Sequence, residues 1–119
     1  MKRILICEDE RDSKEAITNI LSKRDYEVYA AADGRESLEK TRDLNPDLVL
    51  LDIRMPEING IEVAKEIRKF NTRTRIIFIT AFQSPQLVKE AAKYDISDYI
   101  AKPAPAEDIL KSIQDALKT

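Results

Sequence analysis

Five residues of types that do chemistry stand just past short, largely apolar stretches. Glu8 and Asp9 follow residues 4–7, Asp52 follows 48–51, Thr80 follows 76–79 and Lys102 follows 98–101. Singly, each reads equally well without chemistry: the acids solvate a loop, Asp52 caps the next element, Thr80 ends a strand and Lys102 is a surface charge. Together they describe phosphoryl transfer to a carboxylate. Asp52 would be the nucleophile and become an aspartyl phosphate. The Lys102 ammonium would neutralise phosphoryl oxygens, and the Thr80 hydroxyl would donate to one of them. Two unit charges about 4 Å apart at an effective dielectric near 20 repel by about 4 kcal/mol, so Glu8, Asp9 and Asp52 brought together call for a cation. Few oxygen ligands, with positions left for water and a phosphoryl group, suit Mg²⁺ better than a caged Ca²⁺.

Positioning these residues is the task of the elements before them. Leu48, Val49, Leu50 and Leu51 form an unbroken apolar run after Asn45-Pro46, without the alternation of a half-solvated strand. Such a run suits a parallel strand covered on both faces. Residues 4–7 and 76–79 read the same way, 25–31 alternates as a second strand, and 98–101 is a short fifth. Helical spacing fills the intervals. Ala16, Ile17, Ile20 and Leu21 make one stripe, residues 35–44 carry a thin one of Leu38 and Leu44, and Val63, Ala64, Ile67 and Phe70 mark a third helix closing at Asn71. Ser84-Pro85 reads as N-cap and first residue of a fourth, with Leu87, Val88, Ala91 and Ala92 inward. A last helix is expected over 106–118, facing Ile109, Leu110, Ile113, Ala116 and Leu117 inward. Asp33-Gly34 reads as a turn, and Met55-Pro56 with Asn59-Gly60 as a loop.

Five β–α alternations in 119 residues require a parallel sheet with helices on both faces. A Rossmann half would place a Gly-rich turn after strand 1, but the chain has only Gly34 and Gly60. The expected fold class is therefore α/β: a flavodoxin-like, doubly wound five-stranded sheet of order 2-1-3-4-5 with five helices, a single domain over 1–119. In that order strands 1 and 3 are neighbours, which brings the three carboxylates to the switch point.

Composition narrows the function classes. A chain with 43% hydrophobic and 35% charged residues is an ordinary globular one, and a net charge of -2 without a basic run argues against direct nucleic-acid binding. The absence of histidine excludes a Ser-His triad, a His-ligated metal and a histidine phosphocarrier. The single cysteine, Cys7, suits a reducing cytoplasm and reads as a small buried hydrophobe at a strand end. The apolar run after Met-Lys-Arg is too short for a signal peptide or a membrane span.

The chain resembles, over its whole length, the CheY-like receiver domain of two-component response regulators. The likeness rests on Glu8-Asp9, Asp52 with Met55-Pro56 and Gly60, Thr80-Ala81, and Lys102-Pro103. Pro-Asp-Leu-Val-Leu-Leu-Asp and Thr-Ala-Phe bring it nearest to stand-alone receivers of the sporulation phosphorelay type. The resemblance implies that Asp9, Asp52 and the Arg54 backbone carbonyl ligate Mg²⁺, with Glu8 acting through water. It implies that Tyr99 moves in concert with the Thr80 hydroxyl in switching, and that Arg54 and Phe82, two residues after Asp52 and Thr80, tune phosphoryl lifetime. Glu8 stands where aspartate is more usual, and Ala104 where phenylalanine is frequent. The expected partners are a sensor histidine kinase or histidine phosphotransferase and a downstream protein target, without nucleic acid or membrane, for a monomer whose only catalysis is its own phosphorylation and dephosphorylation. With nothing left for an output domain after the fifth helix, signalling by partner binding or relay is expected; a receiver cut from a larger regulator is the runner-up. A haloacid-dehalogenase-type phosphatase fits poorly, because position 54 is Arg and Asp52 follows the third strand. An FMN binder would need a Ser/Thr/Gly-rich phosphate cradle that the loops lack.

Overall fold

The apolar runs become the central strands with little adjustment. In the computed structural model, which describes residues 1–118, these are β1 (Lys2–Cys7), β3 (Leu48–Leu51) and β4 (Arg75–Thr80), flanked by β2 (Tyr26–Ala31) and β5 (Asp98–Ala101). All pairings are parallel and the order is β2-β1-β3-β4-β5, the expected flavodoxin-like winding. β1 begins two residues before its apolar run, because Lys2 and Arg3 pair with Tyr26 and Glu27 of the edge strand while staying exposed.

The helices are α1 (Arg11–Ser22), α2 (Gly34–Leu44), α3 (Gly60–Phe70), α4 (Pro85–Ala92) and α5 (Ala106–Ala116). Alternate residues of the buried strands feed two apolar layers. Leu5, Val49, Leu51 and Phe78 pack with Val63, Ala64 and Ile67 of α3 and Ala91 of α4. Ile4, Ile6, Leu50 and Ile77 pack with Ile17 and Leu21 of α1 and Ile109 and Ile113 of α5. A strand buried on both faces must be apolar at every position, which is why β3 shows no alternation.

Several helix faces differ from the periodicity. Ala16 of α1 is exposed and Ile20 only half-buried. The inward residues of α2 are Gly34, Ser37 and Thr41, with Leu38 and Leu44 at the margin. The hydroxyls of Ser37 and Thr41 donate to the carbonyls of Asp33 and Ser37, 2.7 Å in each case, and so are buried without loss. Phe70 lies exposed at the end of α3 with the Arg42 guanidinium 4.7 Å from its ring centre. On α4 only Ala91 is fully buried; Leu87 is half-buried, and Val88 and Ala92 face outward. α5 stops at Ala116, with Leu117 as its C-cap. Asp33 is the N-cap of α2 rather than part of a free turn, accepting the Glu36 N–H at 2.8 Å. Ser84 and Pro85 begin α4 as expected. Cys7 is fully buried and burial pushes its thiol up to about 12, the inert state expected of it.

Gly60 carries a constraint that loop chemistry alone does not reveal. Its φ is not positive; the left-handed residue of this loop is Glu57, at φ 69°. Instead, a Cβ on Gly60 would stand 2.1 Å from the Asp52 carbonyl oxygen, while the Gly60 N–H donates to the Ile53 carbonyl at 2.7 Å. The first turn of α3 therefore lies directly against the backbone of the candidate nucleophile. Gly60→Ala is expected to lower stability by about 1–3 kcal/mol, since backbone cannot yield as a side chain does. Thermal unfolding checks it, and a midpoint equal to wild type would show that α3 can retreat freely.

Candidate functional site

The carboxyl ends of β1, β3, β4 and β5 border a cleft of about 390 Å³ lined by Glu8, Asp9, Glu10, Ser13, Asp52, Arg54, Ala81, Phe82 and Lys102. Asp52 is the first residue past β3. Its N–H donates to the Cys7 carbonyl at 3.0 Å, continuing the β1–β3 ladder by one step, so a rigid strand end sets its position. Its side chain is nearly buried: Oδ1 accepts the Arg54 N–H at 3.2 Å and Oδ2 accepts from Lys102 Nζ at 3.0 Å. Lys102 is held in turn by its N–H on the Thr80 carbonyl at 2.9 Å, which extends the β4–β5 ladder.

Lys102 Nζ also pairs with Glu8, so one ammonium serves two buried carboxylates. Burial alone would pull this lysine down, but its hydrogen bonds to Glu8 and Asp52 outweigh that and hold it above the ordinary value. Burial raises the Glu8 carboxyl, and the charge of Asp52 adds to the rise against the hydrogen bonds from Lys102 and the Glu10 N–H. Of the three carboxylates expected to converge, Glu8 and Asp52 share the Lys102 ammonium, while Asp9 stands exposed at the rim.

Among the described residues no three acidic or thiol side chains are gathered closely enough to enclose an ion unaided. The donors around the cleft are nonetheless all hard oxygens, few in number, and open to solvent beside Asp52. That suits a cation that keeps much of its water shell, as Mg²⁺ does.

Thr80 is fully buried at the end of β4, its hydroxyl oxygen accepting the Phe82 N–H at 3.3 Å. The Tyr99 ring is half-buried, 5.9 Å from that of Phe78, and its hydroxyl donates to the Phe82 carbonyl. Burial and the charge of Asp52 both raise the Tyr99 hydroxyl. Arg54 and Phe82 meet across the mouth of the cleft, the guanidinium carbon 4.8 Å from the ring centre. Of the site residues expected from the sequence, Glu8, Asp9, Asp52, Arg54, Phe82 and Lys102 line the cleft, while Thr80 and Tyr99 are hydrogen-bonded to Phe82. Two features were missed. Glu10 caps α1 by accepting from the N–H groups of Asp12 and Ser13, a signal visible in its place before the first helical turn. The Arg54–Phe82 contact joins two loops and has no local signal.

The family model for the response regulator receiver domain matches residues 4–114. The chain is 37% identical over 118 residues to the chemotaxis protein CheY of Thermotoga maritima, covering 98% of each chain. It is 36% identical over 118 residues to the regulatory protein AtoC of Escherichia coli, of whose length it spans only 26%. Among solved structures it is similar to the CheX–CheY–BeF3–Mg complex from Borrelia burgdorferi, with a TM-score of 0.90 and 30% identity over 96% of this chain and 87% of that one.

Proposed function

The chain belongs to the response regulator receiver domains, a family of phosphoacceptor signalling modules, and on that premise we propose that Asp52 is its phosphoacceptor. The observation that carries the proposal is the position of Lys102, whose ammonium spans Asp52 and Glu8 at the floor of a solvent-open cleft. An Asp52 carboxylate oxygen forms a P–O bond to the phosphoryl group of a phosphohistidine while the P–N bond breaks. The electron pair stays on the leaving imidazole, which takes up a proton. Lys102 turns from carboxylate to the equatorial oxygens, and the Thr80 hydroxyl donates to one of them. Asp9, Asp52 and the Arg54 carbonyl would hold Mg²⁺, with Glu8 acting through water. The cation supplies positive charge against the phosphoryl oxygens when bound. Catalysis is confined to the domain's own phosphorylation and dephosphorylation.

The donor is a sensor histidine kinase or a histidine phosphotransferase. A groove of about 410 Å³ beside the cleft, where Ala16 and Ile20 of α1 face Pro103 and Ala104, supports docking of a protein rather than a metabolite. Ala104 leaves that groove wider than an aromatic residue would. Once Asp52 carries the group, Thr80 follows it and Tyr99 shifts with Thr80, remodelling α4, β5 and α5 for a downstream protein target. Arg54 and Phe82 offer no amide or carboxylate to orient a water, so the phosphoryl group is long-lived. We read the whole of residues 1–119 as one receiver domain, monomeric and cytoplasmic, acting without nucleic acid or membrane. Among the described residues no helix is long and apolar enough to cross a membrane.

Acetyl phosphate with Mg²⁺ tests this reading on the intact chain. Mass spectrometry should find one phosphoryl group, in the peptide containing Asp52, and none in the presence of chelator. Amide shifts on loading should reach α4 and α5; shifts confined to the loop after β3 would remove the switch from the proposal.

A further inference from the structure

One guanidinium joins the carboxyl ends of two helices, far from the cleft. Arg68, in the last turn of α3, donates from Nε to the Tyr94 carbonyl at 2.8 Å and from Nη2 to the Asp95 carbonyl at 2.9 Å. Its Nη1 donates at 3.1 Å to the carbonyl of Asn71, the C-cap of α3 itself. Two adjacent N–H groups of one planar fork thus hold the turn that ends α4, where Asp95 takes a left-handed φ of 55°. The base of this clamp is firm, because Val63, Ala64 and Ile67 of α3 are fully buried. By contrast α4 is thinly attached, with Ala91 its one fully buried residue. Its first residue, Pro85, comes three after Phe82, whose N–H rests on the Thr80 hydroxyl. One end of α4 is therefore tied to the cleft and the other to α3.

We propose that Arg68 makes the carboxyl end of α4 a fixed pivot, so that loading of Asp52 swings the amino-terminal half of this helix. This rests on Asp52 being the phosphoacceptor. A phosphoryl group that draws the Thr80 hydroxyl takes away the acceptor on which the Phe82 N–H rests. The disturbance reaches α4 at Pro85 first. A helix gripped at one end by two charge-assisted hydrogen bonds yields by rotation about that end, because sliding would break both together. Displacement then grows from Tyr94 back to Pro85. Val88, 38% exposed near the middle of the helix, travels with the moving half. A downstream protein that distinguishes the loaded chain through α4 must touch this half. Contacts confined to Ala92 and Lys93 would be blind to the state of Asp52.

The test compares wild type with Arg68→Met, Arg68→Lys and Lys65→Met, the last a change on the exposed face of α3, all as the full chain. In chelator and without donor, amide exchange is read at Lys93 and Tyr94, whose N–H groups close the last turn of α4 on the Glu90 and Ala91 carbonyls. Arg68→Met should speed exchange there about 10-fold, and Lys65→Met should leave it unchanged. Arg68→Lys keeps the charge without the fork and should resemble Arg68→Met; it carries both measurements if Arg68→Met does not fold. Exchange at the wild-type rate in Arg68→Lys would overturn the clamp. Beryllofluoride with Mg²⁺ then stands in for the phosphoryl group. Amide shift changes in wild type should fall steadily from Leu87 to Tyr94, and become level along α4 once the fork is gone. Equal changes at both ends of α4 in wild type, or a decline that survives loss of the fork, would overturn the pivot. A wild type whose shifts change nowhere would refute Asp52 as acceptor, while exchange in chelator would still judge the clamp.

Discussion

Asp52→Asn is expected to abolish metal-dependent phosphoryl gain and, at the same time, to raise the melting temperature. The first effect follows from chemistry. An amide has no anionic oxygen to attack phosphorus, and with no histidine in the chain the other expected phosphoryl acceptor is missing too. The second follows from charge. Asp52 and Glu8 are 8% and 3% exposed and share one ammonium, which leaves the cluster one negative charge in excess. Two carboxylates about 5 Å apart at an effective dielectric near 20 repel by roughly 3 kcal/mol, and desolvating an ion adds several more. The Lys102–Asp52 attraction at 3.0 Å offsets part of this. Asparagine keeps the shape and can still accept the Arg54 N–H. A net gain of about 1 kcal/mol, or some 3–6 °C for a domain of this size, is the expected remainder. The paired readout separates loss of chemistry from loss of fold. Phosphoryl gain at the wild-type rate would discard Asp52. A fall in melting temperature would mean that its attraction to Lys102 outweighs the repulsion.

How much of this was legible in the sequence depends on which interactions decide each feature. Continuous apolar runs marked β3 and β4 because a strand buried on both faces admits nothing else. The strand order followed from short right-handed crossovers and from the lack of a Gly-rich turn after β1. Helix faces were read less well where hydrophobicity was not what buried them. Ser37 and Thr41 face inward on α2 because their hydroxyls bond within the helix, so no apolar stripe announces that face. Val88 and Ala92 continue the spacing of Leu87 and Ala91 on a helix that buries only a narrow strip. Phe70 looked like core and proved to be a platform for Arg42. At the site, single residues were legible because parallel strands deliver their next residue to a common edge. Their partners were not. The pairing of Lys102 with Glu8 as well as Asp52, the Arg54–Phe82 stack and the contact of Gly60 with the Asp52 carbonyl all join segments remote in the chain.

Lys102→Met should be the most damaging substitution to the fold of the site, and its damage should depend on pH in a way that identifies charge as the cause. Methionine approximates the stem of the lysine and removes only the ammonium. Glu8 and Asp52 then remain nearly buried without their shared cation. Deleting one partner of a buried pair costs about 3–5 kcal/mol, which here would appear as a melting point lower by roughly 10–20 °C in metal-free buffer near neutrality. Glu8 is already held above its ordinary value of 4.5 by burial, despite Lys102. Without the lysine it must rise further. Between 4.5 and that raised value the folded chain keeps a proton that the unfolded chain has released, so stability falls as pH rises through the window. The variant's window reaches higher than the wild type's. Its deficit is therefore smallest below 4.5 and widens towards neutrality. Lysine itself closes the deficit at the other end. Its ammonium lies above its ordinary value of 10.5 in the fold, so the stability it confers is complete below 10.5 and disappears as pH rises past the folded value. Phosphoryl gain should slow about 100-fold in the same variant, since one positioned positive charge is lost from the transferring group. Thermal unfolding of both proteins in chelator from pH 4 to pH 11 decides the matter. A deficit of the same size at every pH would assign Lys102 a packing role and withdraw its charge from the account of the site.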